Sequence, residues 1–488
     1  MIATTTASVT VVLAPEAVMA GGLVATMVAD MVLPVNRRGI LGAIAFAGCM
    51  AALGMSLIAS HGGLEAMIES DGIALLARAT IYAVTGLVIL TRHRDGRLDP
   101  EHGAWLVCVL SLALGSSCAA LANNLVSLWF GLEIASLAGY VLAAWSAGDR
   151  RAAEAGMKYA LFGGVASALM LFGASHVYGM TGSLDFAGIG RVLGDAPSAA
   201  IVAAVCLTGA GIAYKLAIVP LHAWAPDVYE GAPALSAALV GIVPKVGAVA
   251  ALVRCLGTTL PEGRPSSVAL AAALSALAVA SLVVAAFTAL AQRDAKRVLA
   301  LSGIGHAGAI LLALAAHPGR DAAAASAYYL LTYAVANLGA FVCLAEFERE
   351  RGSCSFQALA GALRQRPVLT TLLAVFVLSL AGLPPLAGFL AKWGVLRIAL
   401  ERGMADDGHA FLVWAGVAMI ASAALAAWSY LLVLRAALFG ARDEVAVHDP
   451  RSMASGTRIV LGLCLAATLA LGLWLDGFVR IADVLAIR

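Results

Sequence analysis

Charge is what this sequence has least of. Of its 488 residues only 12% are Asp, Glu, Lys or Arg, while 62% are hydrophobic. Soluble domains carry about twice that charged fraction. With a mean hydropathy of +0.93 there is too little polar surface to cover a globule of this size, which excludes a soluble protein and leaves lipid as the solvent. A formal net charge of +2 offers no basic field for nucleic acid. The eight cysteines contain no C-x-x-C pair and lie scattered, mostly inside apolar runs, so they read as small hydrophobes rather than zinc or iron–sulfur ligands. The pattern of a basic flank, a short apolar run and a cleavage site is missing at the start, so no secretory leader is expected. No stretch alternates polar with apolar residues as a membrane barrel strand would. Low-complexity linkers and soluble insertions of domain size are also absent, which leaves one membrane domain.

What is present is a succession of apolar runs. About 20 apolar residues cross a bilayer as helix, and that ruler gives fourteen spans, at about 12–35, 39–60, 72–91, 104–121, 125–145, 158–178, 199–224, 234–256, 267–290, 298–316, 322–346, 370–400, 411–439 and 456–479. The fold class expected is an all-α polytopic membrane protein. Basic residues favour cytoplasmic loops. One alternating set of loops, which includes Arg37, Arg38, Arg94, Arg97, Arg150, Arg297, Arg442 and Arg451, holds 18 of them, whereas the other set holds 8. The acidic loop with Glu65, Glu69 and Asp71 falls in the poor set, so both termini are expected to face outward.

Only five of the 31 basic residues are lysine. Lys296 falls in a cytoplasmic loop, but Lys158, Lys215, Lys245 and Lys392 fall within spans. A buried ammonium can release its proton when its surroundings change, whereas a guanidinium stays charged. Charge inside a membrane is costly and marks a functional candidate. Lys245, after Pro244 in the middle of the eighth span, is too deep to reach either interface. Glu133, central in the fifth span, needs a cation or a proton to be tolerated there. Lys158 lies nearer the end of the sixth span, where an anchor reaching the interface competes with a proton site. His306, flanked by glycines in the tenth span, titrates near neutral pH and can pass a proton between its two nitrogens; a neutral histidine bonded across helices is the competing reading. His222 sits beside Pro220.

Two spans carry interruptions, the seventh at Pro220 and the twelfth at Gly382–Leu383–Pro384–Pro385. Proline removes a backbone bond and clashes with the preceding turn, and irregular backbone at membrane depth is tolerated only inside protein or beside water. Interrupted spans at matching places in two halves point to inverted repeats with an ion site at the breaks. Spans four to eight and nine to thirteen satisfy that spacing, although Lys215 precedes its proline while Lys392 follows its pair. The chain then divides into an N-terminal three-helix part (1–103), a first repeat (104–256), a second repeat (267–440) and a C-terminal helix (456–488).

The stretch Tyr214 to Pro233, YKLAIVPLHAWAPDVYEGAP, together with Met157 to Ser183, Gln292 to Gly308, Tyr328 to Phe341 and Leu383 to Trp393, resembles the antiporter-like membrane subunits of respiratory complex I. The Asp227-to-Pro233 ending is similar to that of the N branch of the family. The matches run from about residue 125 to 440, and the first hundred residues match weakly. The resemblance implies that Glu133 and Lys215 form a charge pair tuned by Lys158, that Lys245 and His306 relay protons, and that Lys392 lies near the outward exit. His222 is a further modulating candidate, and Pro220, Pro244, Pro384 and Pro385 mark helix breaks. It also implies proton pumping driven by quinone reduction elsewhere in a bacterial inner-membrane complex, with no catalytic or metal-ligating residue in this chain. FMN, iron–sulfur clusters and quinone would be held by other subunits. The expected partners are antiporter-like subunit M, the adjacent small subunits, the peripheral redox arm and lipid. The alternatives are an Mrp-type Na⁺/H⁺ antiporter subunit and a membrane subunit of a related hydrogenase complex.

Overall fold

The computed structural model describes residues 11–59, 62–64, 67–92, 101–146, 148–192, 199–259, 265–316, 319–405, 408–440, 453–474, 477 and 481. Glu65, Arg94, Arg97, Arg442 and Arg451 lie outside the described residues. The chain is a bundle of long helices: α1 (Ala14–Val32), α2 (Leu41–Ile58), α3 (Gly72–Arg92), α4 (His102–Leu121), α5 (Leu125–Ala143), α6 (Arg150–Thr181), α7 (Ala199–Leu216), α8 (Ala234–Thr259), α9 (Pro265–Leu290), α10 (Ala295–Ala316), α11 (Arg320–Arg351), α12 (Pro367–Ala381), α13 (Ala387–Gly403), α14 (Phe411–Phe439) and α15 (Ser455–Leu473). Thirteen are long and apolar enough to cross a membrane singly, while α12 and α13 are the two pieces of the twelfth expected span. In lipid every backbone polar group must be bonded within the chain, which is why Ala-, Leu- and Val-rich runs of this length become helix. The strands described among these residues form one small hairpin, Gly62–Leu64 against Ile68–Ser70.

The bundle has an inside. The most apolar stretch of α8 is wholly buried, and those of α10 and α11 nearly so, whereas α1, α2, α6, α9 and α14 expose most of theirs. These outer helices turn residues such as Leu161, Phe172, Trp414 and Trp428 outward. At the arginine-poor end, the buried pair Arg78 to Glu16 (2.9 Å) fastens α3 to α1. There Arg254 of α8 also grips Asp71 and the carbonyls of Ala120 and Ala122.

Two halves repeat, element by element. A shift of 170 residues carries the start of α5 onto that of α10 and α6 (Arg150–Thr181) onto α11 (Arg320–Arg351). The same shift carries Gly182 (φ 69°) onto Gly352 (φ 72°), each a left-handed residue ending a 32-residue helix. It also carries the bridge Asn124–Asp185 onto the bridge Asp294–Ser355. α4 packs on α5 and α8 as α9 packs on α10 and α14. Because α5 and α10 are separated by an odd number of crossings, the two halves run in opposite senses through the bundle.

Candidate functional site: buried cations along two broken helices

Both expected breaks are present. α7 stops at Leu216, Ala217 is left-handed (φ 56°), and Ile218 N–H reaches back to the Ala213 carbonyl at 2.8 Å. α12 stops at Ala381, Gly382 is left-handed (φ 88°), and Leu383 N–H reaches back to Leu378 at 3.2 Å. The Val219–Pro220 and Pro384–Pro385 peptides are cis. Pro244 is a correction to the sequence reading: α8 runs unbroken through it. The ring removes one N–H, but Pro244 and both of its neighbours are fully buried, and the packed surroundings hold the helix together.

At the first break, Lys215 is 3% exposed and lies among aromatic rings. Its Nζ is 5.3 Å from the Tyr159 ring centre and 5.6 Å from that of Tyr214, and donates to Tyr159 Oη at 3.4 Å. Trp224 stacks on Tyr159 at 4.5 Å, and Tyr214 donates to the Tyr159 carbonyl at 2.8 Å. Ring faces attract cations without accepting a proton. Glu133 is half-buried and stands one turn from the exposed Phe130 and Leu137, at the edge of the bundle. No ion pair within 4.0 Å joins it to Lys215 among the described residues. Lys158 is not part of this cage: its ammonium is half-exposed and pairs with Glu154 (2.7 Å) and Asp227 (2.6 Å). His222 lies in the turn after the break, with Nδ1 buried and lacking a hydrogen-bond partner.

The centre of the bundle holds Lys245, 4% exposed, whose Nζ donates to the Gly303 carbonyl at 2.9 Å and faces the Tyr333 ring at 5.7 Å. A Cβ at position 303 would lie 3.0 Å from both Lys245 Nζ and Tyr333 Oη, so Gly303 makes the room for this contact. Tyr333 is shared, since its ring is also 5.0 Å from that of His306. Its hydroxyl donates to the Gly241 carbonyl at 3.3 Å, and a Cβ at Gly241 would lie 2.4 Å from Tyr229 Oη. Hydroxyls from the two halves therefore converge at Gly241.

His306 Nδ1 is 2.8 Å from Tyr329 Oη, and its Nε2 is 3.5 Å from Tyr430 Oη, which in turn bonds Ser302. Beyond it a cavity of about 40 Å³ opens between α9, α10, α11, α13 and α14, bordered by Ser302, His306, Tyr329, Lys392, Ser422 and Tyr430. A water needs about 10–15 Å³ by the same measure and two to four polar partners, so the cavity has room and partners for water. On its far wall Lys392 donates to the carbonyls of Leu380 (3.0 Å) and Ala381 (2.7 Å), the last of α12. The second-half cation thus caps its own broken helix.

Of the sequence-chosen residues, Lys245 and His306 meet at Tyr333, and His306 and Lys392 border the same cavity, while Lys215 lies in its own aromatic cage; Glu133 stands at the edge of the bundle, and Lys158 at the arginine-rich end. Sequence reasoning missed the tyrosines around them. Their signal was the placement of Tyr329, Tyr333 and Tyr430 inside spans, since a hydroxyl in lipid needs a partner; Tyr159, at the very start of the sixth span, gave no such signal. It also put Lys296 in a loop, whereas Lys296 belongs to the first turn of α10 and is 4% exposed. Lys296 pairs with Glu348 at 2.5 Å and donates to the Ala232 carbonyl at 2.8 Å. Burial pushes the neighbouring Asp294 carboxyl above its usual range, against the pull of Lys296.

A family model described as "NADH:quinone oxidoreductase/Mrp antiporter, TM" matches residues 122–420, more than half of the chain. The chain belongs to this family. Among the relatives of this antiporter-like family, a protein from an Anaeromyxobacter species named NADH-quinone oxidoreductase subunit N is 32% identical, over 96% of this chain and 94% of that one. One from Acidobacterium capsulatum named NADH-quinone oxidoreductase subunit N 2 is 36% identical, over 89% and 90%. Among solved structures, a chain of respiratory complex I from Thermus thermophilus with bound aureothin is 29% identical, with a TM-score of 0.77 over 94% of this chain and 97% of that one. A chain of the Mrp complex from a Dietzia species shares the fold, at a TM-score of 0.83 over 98% and 97%, with 19% identity. Family membership and the long apolar helices make this a multi-pass membrane protein.

Proposed function

We propose that this chain is the N-type proton-translocating subunit of a bacterial NADH:quinone oxidoreductase, carrying protons while other subunits carry the electrons. The relatives' shared name supports the assignment to that complex. In this reading the chain lies in the cytoplasmic membrane with both termini outward, beside subunit M and the small membrane subunits. FMN, iron–sulfur clusters and quinone belong to other subunits, in keeping with the scattered cysteines of this one.

The observation that carries the proposal is the set of buried cations and tyrosines: Lys215 in its aromatic cage, Lys245 and His306 meeting at Tyr333, and Lys392 sharing with His306 a cavity that has room for water. Movement of Glu133 toward or away from Lys215 changes how firmly the ammonium holds its proton. A proton given up there passes to Lys245, then by His306 and the cavity to Lys392, which releases it outside. Against a membrane potential each charge costs about 2.3 kcal/mol per 100 mV, which is within reach of making or breaking one buried charge contact.

The test is NADH-driven quinone reduction together with proton pumping in inverted vesicles carrying Lys245→Ala. With assembly intact, both should fall by roughly tenfold or more, as for loss of a group used in the chemical step. Unchanged pumping, with Na⁺-driven pH change by the chain itself, would overturn the proposal in favour of Mrp-type Na⁺/H⁺ exchange.

A further inference from the structure

Superposing the breaks, Ala217 on Gly382 and Pro220 on Pro385, shifts the register by 165 residues and brings Asp227 onto Lys392. In the second half that position holds a cation that turns back onto its own helix end. In the first half the cation precedes the break, and the position after it has the opposite charge and turns away. Asp227 Oδ2 is 2.6 Å from Lys158 Nζ on α6, and Oδ1 is 2.8 Å from Arg297 Nη1 on α10. Arg297 also binds Glu230 (2.6 Å) and, through Nε, Gln292 (2.8 Å). One carboxylate therefore grips both halves of the molecule.

Each grip is next to the proton path. Lys158 precedes Tyr159, whose ring and hydroxyl touch Lys215. Arg297 stands nine residues before His306 on the same helix. Burial works against the charge of Asp227, yet Lys158 and Arg297 hold its carboxyl below the usual range.

We infer that Asp227 is a positioning residue for proton transfer: by holding Lys158 and Arg297 together it fixes α10, and with it His306, relative to the Lys215 cage. The inference rests on the proton-translocation reading. Ion pairs this exposed add little stability, so neutral variants should still assemble.

The measurement is protons pumped per NADH oxidised by the intact complex in inverted vesicles, for Asp227→Asn, Asp227→Glu, Arg297→Gln and the Asn/Gln double variant. Asp227→Asn and Arg297→Gln should each lower the ratio roughly threefold to tenfold. The double variant should be no worse than the poorer single one, because each single change already breaks the Asp227–Arg297 contact on which the positioning depends, and Asp227→Glu should restore most of the ratio. If Asp227→Asn does not assemble, Arg297→Lys, which keeps the charge but not the fork, should show an intermediate ratio. A parental ratio for Asp227→Asn, or independent, multiplying losses in the double variant, overturns the inference. Lys245→Ala in the same vesicles separates the two levels. If it abolishes pumping while Asp227→Asn does not alter the ratio, only the positioning role fails. If it leaves pumping intact, the proton-translocation reading has failed as well.

Discussion

The two breaks are the same piece of backbone with the cation on opposite sides of it. At the first, Lys215 lies before the left-handed residue, and its ammonium touches ring faces and one hydroxyl. At the second, Lys392 lies after it and its ammonium supplies hydrogen bonds to two carbonyls at the end of α12. Rings attract a cation without depending on it, whereas carbonyls at membrane depth need their donor. The first lysine can therefore lose its charge with little effect on the backbone, while the second is part of the helix end it caps.

The sharpest way to break this contrast is at the left-handed residues themselves. Gly382 has φ 88°, and a Cβ there would lie 2.8 Å from Lys392 Cδ. Gly382→Ala should combine left-handed strain of about 1–2 kcal/mol with overpacking of about 1–3 kcal/mol, seen as a lower thermal midpoint of the purified complex. Ala217→Gly relieves the same strain, offset by about 0.4–1 kcal/mol of unfolded-state entropy, so its midpoint should hold or rise slightly. Equal losses from both substitutions would show that the breaks are not equivalent.

A smaller effect should come from the lysines. Lys392→Met leaves the Leu380 and Ala381 carbonyls without their donor, at about 1–3 kcal/mol. Lys215→Met leaves only a tyrosine hydroxyl and fits an aromatic pocket. Both should stop pumping, but only Lys392→Met should lower the thermal midpoint clearly.

The smallest effect compares the loops that follow α6 and α11. Asp185 caps the short helix 186–192 by accepting from Gly188 N–H at 2.6 Å, and Ser355 caps 356–359 by accepting from Ala358 N–H at 3.2 Å. Replacing either with Ala should cost about 1 kcal/mol. The Ser183 hydroxyl and Gly188 N–H hold the Asp185 carboxyl below its usual range, with burial opposing. A lowered pKa gives stabilisation that is complete above the unfolded value of about 3.9 and is lost as pH falls through the folded one. Hydrogen-exchange protection at Gly188 should therefore fade in acid, while that at Ala358 should not.

Much of the fold could be read from the sequence because length in an apolar run is a one-dimensional property. Every expected span contains a long helix, and the twelfth is in two pieces where Gly382 to Pro385 said it would be. The inverted repeat was harder to read, because the lysines do not align; the left-handed residues and bridges that do align are backbone features. The buried cations were legible as mid-span charge, but their surroundings were not. Tyr159 reaches Lys215 across 56 positions, and Tyr430 reaches His306 across 124. Lys296 was misplaced for a related reason: a basic residue next to a loop is usually solvated, and only the fold shows Glu348 and the Ala232 carbonyl closing over it.

The length of α6 has one more consequence. Its 32 residues make a rod of about 48 Å at 1.5 Å each, while the hydrocarbon layer is about 30 Å thick, an excess that the common tilt of about 20° does not remove. One end of the helix must therefore stand in headgroups and water, where dissolved ions damp a charge within about 8 Å at physiological ionic strength. Lys158 and its carboxylate partners work in that damped medium, while Lys215, shielded by rings, does not. Two charge systems in one bundle thus answer to different surroundings, the outer to the salt of the cell and the inner to the protein alone.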